Sequence, residues 1–231
     1  MNDCLVVLQA RMDSVRLPGK MMLPIMGFPL IEFIIRRIKP LEKHGAKFFL
    51  ATSKSKSNYP LIKIAKQYQI GVYSGDENDV FSRFYEIKKM NPNIKYFVRI
   101  CGDNPFVDPK LILELYDFHK LSKNDYSWNN VPRDIFNWPD GFGAEIFSSK
   151  SLEISSKLNL SNDEKEHVTE CFYKRKIFKS GSYNPNFQYL LNKKIDIDSI
   201  KDYNKILKLI GDKNLTLDLS TSDILKLISD D

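Results

Sequence analysis

Cys4-Leu5-Val6-Val7-Leu8, running straight into Gln9-Ala10-Arg11-Met12-Asp13-Ser14-Val15-Arg16-Leu17-Pro18-Gly19-Lys20, sets the pattern for the whole chain. A short apolar run rich in valine predicts a buried strand. The polar stretch after it, with Pro18-Gly19 near its end, predicts a long loop leaving the strand's carboxyl end. Leu30, Phe33, Ile34 and Ile38 then fall at helical spacing beside Arg36, Arg37 and Lys39, which describes a helix lying on a sheet.

The alternation repeats outward from there. Lys47–Ala51, Gly71–Tyr73 and Tyr96–Ile100 are expected strands, and Leu61–Tyr68 and Val80–Met90 expected helices. Asp108-Pro109 predicts a helix start, with aspartate as N-cap and proline at the first position. Strands alternating with amphipathic helices imply an α/β fold, a mostly parallel sheet covered on both faces in three αβα layers. The second half is less regular. Strands are expected at Tyr126–Asn129, Gly143–Phe147, Gln188–Leu191 and Ile195–Ile197, and helices at Ser149–Lys157, Asp163–Lys174, Ile200–Ile210 and Ser222–Ser229. No repeat, linker or composition shift divides residues 1–231, so one domain is expected, with a protruding segment at about 128–147.

Hydrophobic residues make up 42% of the 231-residue chain, enough for a large core. No apolar run approaches the roughly 20 residues that span a bilayer, and none suits a signal peptide, so a cytoplasmic protein is expected. Cys4, Cys101 and Cys171 are isolated and odd in number, which suits buried thiols rather than disulfides or a zinc site. The net charge of +6 comes from lysines scattered among acids, with no basic stripe interleaved with aromatics. Nucleic acid is therefore not the expected partner.

The loop after the first strand carries the chemistry. In open α/β sheets ligands bind beyond the carboxyl ends of the strands. Arg11, Arg16 and Lys20, on a backbone relaxed by Gly19, can surround several phosphate oxygens. Charge building on a departing pyrophosphate calls for such a set. The loop is neither a Walker A motif, since Ser14 stands where its first glycine belongs, nor a dinucleotide fingerprint.

Two carboxylates complete the pattern. Asp103 follows the strand Tyr96–Ile100 and is placed to hold Mg²⁺ against an α-phosphate. Ser199-x-x-Asp202 reads as a capping box, which assigns Asp202 to the helix start and Asp198 to the metal. Asp196 remains a competing candidate.

Q-A-R-x-x-S-x-R-L-P-G-K after a buried strand resembles the spore coat polysaccharide biosynthesis protein F family, related to the cytidylyltransferases that activate KDO and acylneuraminic acids. The resemblance runs from Leu5 to about Leu209. It takes in Ser74–Phe84, Val98–Pro109, Pro139–Phe147, Glu166–Thr169 and Asp196–Asp202. It implies a Rossmann-like nucleotide-diphospho-sugar transferase (GT-A-like) fold and a homodimer. The implied reaction is Mg²⁺-dependent transfer of CMP from CTP, or of a nucleotide from another NTP, to a sugar or sugar acid, with pyrophosphate released, for a surface glycan.

On that resemblance Arg11, Lys20 and Asp103 are the catalytic residues, and Asp103 and Asp198 hold the metal. Gln9, Ala10, Arg11, Ser14, Arg16 and Lys20 are expected around the nucleotide, together with Thr52, Arg83 and Cys101. Asp140, Glu145 and His167 are expected at the sugar. The chain departs from the family at Gly143, where an acid is usual, at Glu170, where a proline is common, and at Cys101, where the KDO-activating enzymes carry glutamine. Other readings are a glycosyltransferase consuming a nucleotide sugar, a guanylyl or uridylyl transferase of the same fold, and a catalytically silent binding protein. The first expects a D-x-D metal motif after a mid-chain strand, and the sole match, Asp196-Ile197-Asp198, lies late in the chain.

Overall fold

The structure, a computed structural model, describes residues 1–129, 141–183, 194–213 and 216–229. Its first strand, β1 (Cys4–Gln9), lies third from one edge of a seven-stranded sheet. A two-stranded hairpin, β2 (Pro24–Ile25) and β3 (Phe28–Pro29), follows the long loop and leads into α1 (Leu30–Ile38). Then come β4 (Lys47–Ser53), α2 (Tyr59–Gln67), β5 (Gly71–Gly75), α3 (Val80–Met90), β6 (Tyr96–Cys101) and α4 (Pro109–Ser122). The later elements are β7 (Tyr126–Trp128), β8 (Glu145–Ser148), α5 (Ser149–Ser155), α6 (Asn162–His167), α7 (Glu170–Lys174) and β9 (Ser180–Ser182). Helices α8 (Ile200–Lys213) and α9 (Thr221–Ser229) close the chain. The strand order is β5-β4-β1-β6-β8-β7-β9. Only β8 runs against its neighbours, pairing antiparallel with β6 and β7.

Side-chain alternation assigns the two faces. Val6, Leu8, Val98, Ile100 and Ile146 enter one core with α1, α2, α4, α8 and α9. Leu5, Val7, Phe97 and Phe147 enter the other with α3, α5 and α7. Strands covered on both sides need apolar residues at every position, which is why β1 reads as an unbroken hydrophobic run. The helices start where the sequence supplies caps. Asp79 accepts from the Ser82 amide and Asp108 from the Lys110 amide, each at 2.8 Å. Ser199 and Asp202 form the expected capping box, with Asp202 Oδ2 accepting from the Ser199 amide at 2.8 Å.

Asp108 also fastens the C-terminal helix, its Oδ2 accepting from the amide and hydroxyl of Thr221 at 2.8 Å each. Beside it the buried Arg37 donates to the carbonyls of Phe106, Val107, Leu217 and Leu219. Burial lowers that guanidinium to about 10.

Three expectations need correction. Ile195–Ile197 is not a strand; only Lys194 makes an isolated bridge, and the segment runs irregularly along the site. The helix expected over 163–174 is divided at Val168, whose φ of 57° a β-branched residue rarely adopts. Burial of Val168 and a hydrogen bond from the Thr169 hydroxyl hold that turn in place. Helix α2 begins two residues earlier than the apolar spacing suggests, with Pro60 in its first turn. Gln188–Leu191 and residues 130–140 of the expected protrusion lie outside the described residues. Among the described residues no helix is long and apolar enough to cross a membrane.

Candidate active site

The loop between β1 and β2 is pinned at its neck. The Met12 amide donates to Asn58 Oδ1 at 2.8 Å, and the buried Asn58 donates in turn to the Ser53 carbonyl and hydroxyl. The Met12 carbonyl accepts from the amides of Ser14 and Gly19, both at 2.9 Å. Gly19 takes φ 74°, the left-handed turn that lets the chain close on itself. Residues 13–18 therefore form a closed bulge at the carboxyl edge of the sheet, with Val15 at its tip and 90% exposed.

Lys20 leaves the bulge and turns inward, with a side chain only 9% exposed. Its ammonium lies 3.1 Å from Asp103 Oδ2, 3.3 Å from Asp198 Oδ1 and 2.9 Å from the Ile197 carbonyl. Arg16 reaches the other oxygen of Asp198 at 2.7 Å. Burial acts to raise the Asp198 carboxyl, but Lys20, Lys194 and Arg16 more than offset it and hold the group below its ordinary value. Three oxygens thus converge on one positive charge. Two hard carboxylates with a carbonyl suit a small divalent cation that completes its shell from water or phosphate. Among the described residues no group of three or more Asp, Glu, His or Cys gathers that could hold a metal ion.

A cleft of about 420 Å³ opens in front of this pair. Gln9, Ala10, Arg11, Ser14, Arg16 and Lys20 line it from the first strand and loop, and Arg83, Cys101, Asp103, His167 and Asp198 from elsewhere. Eleven of the residues expected at the site therefore share one cavity. Arg11 lies 3.5 Å from Glu77, and Arg83 donates to the carbonyls of Asp76 and Glu77 at 2.7 and 2.8 Å. Burial and the nearby Arg11 charge lower Arg83 from its ordinary value.

Two expected residues do not line the cleft. Thr52 is fully buried in β4. Glu145 is 1% exposed and faces Arg99, Tyr126 and Thr169 rather than open space. Asp140 lies outside the described residues. Asp196 is 5% exposed beside Lys194, and Asp198 is the acid that reaches the cleft.

Arg99, Glu166 and Gly102 line the cleft without having been singled out. Arg99 interrupts an apolar strand two residues before Cys101, so the two-residue period of a strand places both on one face. That signal was available. Gly102 is required by space: a Cβ there would sit 2.9 Å from both Ala10 Cβ and Met21 Sδ.

Solved structures share this architecture. A cytidylyltransferase from Leptospira borgpetersenii serovar Hardjo-bovis (strain JB197) superposes with a TM-score of 0.87 at 27% identity, covering 99% of this chain and 94% of that one. CMP:2-keto-3-deoxy-manno-octonic acid synthetase complexed with CTP shares the fold, with a TM-score of 0.65 at 15% identity over 91% of this chain and 99% of that one. In sequence, the spore coat polysaccharide biosynthesis protein SpsF of Bacillus subtilis (strain 168) is 29% identical over 240 residues, 99% of this chain and 95% of that protein. A 3-deoxy-manno-octulosonate cytidylyltransferase of Haemophilus influenzae (strain PittEE) is 28% identical over 72% of this chain and 70% of its own length. The family model described as cytidylyltransferase matches residues 5–226, and the chain belongs to that family.

Proposed function

We propose that the chain transfers CMP from CTP to a hydroxyl of a sugar or sugar acid, releasing pyrophosphate, in the synthesis of a surface polysaccharide. The observation that carries this reading is the single ammonium of Lys20 in contact with both Asp103 and Asp198, beneath a bulge that bears Arg16 and beside Arg11. Asp103 and Asp198 would hold Mg²⁺, which when bound supplies charge neutralisation at the α-phosphate. Arg11, Arg16 and Lys20 take the β- and γ-phosphate oxygens. The acceptor oxygen forms its bond to the α-phosphorus as the bond to the bridging oxygen breaks, and pyrophosphate leaves toward the three cations. The acceptor proton passes to solvent. Positioning and charge neutralisation carry the acceleration, and no covalent enzyme intermediate is needed.

The glycosyltransferase reading is weaker because Asp196, the first acid of the late D-x-D, is buried away from the cleft. The test is pyrophosphate release from each of the four NTPs with Mg²⁺, against sugar acids and sugar phosphates. Release with CTP and an acceptor is expected. Release with GTP or UTP alone would move the reading to another nucleotidyltransferase, and hydrolysis of nucleotide sugars without pyrophosphate would replace it with glycosyl transfer.

A further inference from the structure

A strained turn on the cleft wall delivers two side chains that the fold itself does not use. Between α6 and α7, Val168 takes φ 57° and ψ −58°, and the Thr169 amide donates to the His167 carbonyl at 2.5 Å. A hydrogen bond closed over two residues at positive φ is a γ-turn of the rare, strained hand, and a β-branched residue at its centre adds to the cost. Three contacts impose it. The Val168 side chain is fully buried, the Val168 carbonyl accepts from the Cys171 thiol at 3.2 Å, and the Thr169 hydroxyl donates to the buried Glu145 at 2.7 Å. Burial pushes the Cys171 thiol up to about 11, so it keeps the proton it donates. A helix carried straight on, as the spacing over 163–174 suggests, would bear no such strain. Strain held in place by its surroundings collects at functional sites.

What the turn gains is the placing of Glu166 and His167, both exposed on the cleft wall. Neither side chain makes a hydrogen bond or ion pair among the described residues. This wall and the phosphate loop belong to opposite faces of the sheet. Met12, Leu17 and Met21 pack into the core on one face, whereas Val168 and Cys171 pack into the core on the other. Nucleotidyl transfer needs that separation, because the entering oxygen and the departing pyrophosphate lie roughly in line across the phosphorus. Lys20 and Arg16 mark the departing side, which leaves the entering side to the turn.

The entering oxygen is a hydroxyl and must lose its proton. Asp103 and Asp198 are already engaged by Lys20. Histidine is the residue type that ordinarily titrates near neutral pH, where a general base works best. We propose that His167 accepts the proton of the acceptor hydroxyl, aimed at it by the γ-turn at Val168. The O–H electron pair stays on the oxygen, which bonds to the α-phosphorus. The pair of the bridging P–O bond leaves with pyrophosphate, and the imidazolium then gives its proton to solvent. This deepens, and rests on, the transferase reading above.

The experiment measures single-turnover release of pyrophosphate from CTP and Mg²⁺ with 3-deoxy-manno-octulosonate, N-acetylneuraminate and the sugar phosphates of the screen above. With whichever acceptor the wild type uses, His167→Asn should slow release by about 100-fold or more, the scale of a lost general base. Half-saturation by CTP and by acceptor should stay within about threefold, whereas a residue that only held the acceptor would show the opposite split. His167→Gly should regain rate with added imidazole, and more with 4-methylimidazole than with 4-bromoimidazole at equal free base, since the stronger base serves better. Because His167 is exposed, both variants should melt with the wild type. Release from His167→Asn near the wild-type rate, a loss confined to acceptor half-saturation, rescue absent or indifferent to basicity, or a hundredfold loss in Glu166→Gln alone would overturn the assignment. No pyrophosphate from the wild type with any acceptor would instead sink the transferase reading, a separate result.

Discussion

The main-chain amide of Ile197 donates to the main-chain carbonyl of Asp103 at 2.9 Å. One backbone bond thus joins the end of β6 to the irregular segment before α8, and it sets Asp198 beside Asp103 although the two are far apart in sequence. The capping box at Ser199 and Asp202 fixes the next residues, so Asp198 is held from both sides.

Because the backbone positions these acids, neutralising them should cost chemistry rather than folding. Asp103→Asn and Asp198→Asn should each lower pyrophosphate release by about a hundredfold or more, the scale of lost metal and charge stabilisation. Thermal unfolding of both variants should stay close to wild type, since both side chains sit at the cleft rim. Wild-type turnover in either variant would remove that acid from the proposed metal site.

Asn58 never touches the cleft, yet its amide group pins the neck of the phosphate loop. Asn58→Ala leaves the Met12 amide and the Ser53 carbonyl without this partner, a loss of about 1–3 kcal/mol by the usual penalty for a buried polar group. It should also loosen the bulge that bears Arg16 and reduce kcat/KM for CTP by about tenfold. Denaturant unfolding and initial rates measured on one preparation check both parts. A stability loss with unchanged kinetics would show that the loop is held by other means.

His119 is wholly buried between Tyr96 and Ser127, and burial pushes its pKa down from 6.5 to about 4. Its Nε2 has no hydrogen-bond partner among the described residues. The unfolded chain therefore binds the proton first, and the stabilising difference is present in full above pH 6.5. It is lost as pH falls through the window from 6.5 to 4. The total is about 3 kcal/mol at 1.36 kcal/mol per unit. Melting temperatures recorded across that window should fall, and His119→Gln should flatten the slope while lowering stability at neutral pH. Parallel pH profiles for the two proteins would assign the acid sensitivity elsewhere.

Periodicity located most strands and helices of the first half, because each is buried through a pattern that repeats within its own length. Helix α1 and helix α3 have the bounds that the apolar spacing suggests. The second half was less legible where distant contacts override local pattern. Val168 breaks a helical run because the turn must bring Thr169 to Glu145, and Ile195–Ile197 pairs with the Asp103 backbone rather than with a strand. At the site, the loop cations and Asp103 were picked out by charge beyond strand ends together with the family resemblance, and Asp198 by the capping box beside it; the structure lines one cleft with all of them. Glu145 was misplaced because acids that touch a ligand and acids that hold a neighbour look alike until β6 and β8 are seen in register. The hairpin at Pro24–Pro29 escaped for a plainer reason, since two-residue strands carry no period at all.

The grip of Lys20 on both acids has an electrical consequence. The protein carries its own counter-ion for the carboxylate pair, mounted on a flexible four-carbon stem. On the proposed reading, Asp103 and Asp198 would hold a divalent cation that supplies charge neutralisation at the triphosphate, and before it binds the ammonium would spare the pair from standing as bare negative charge.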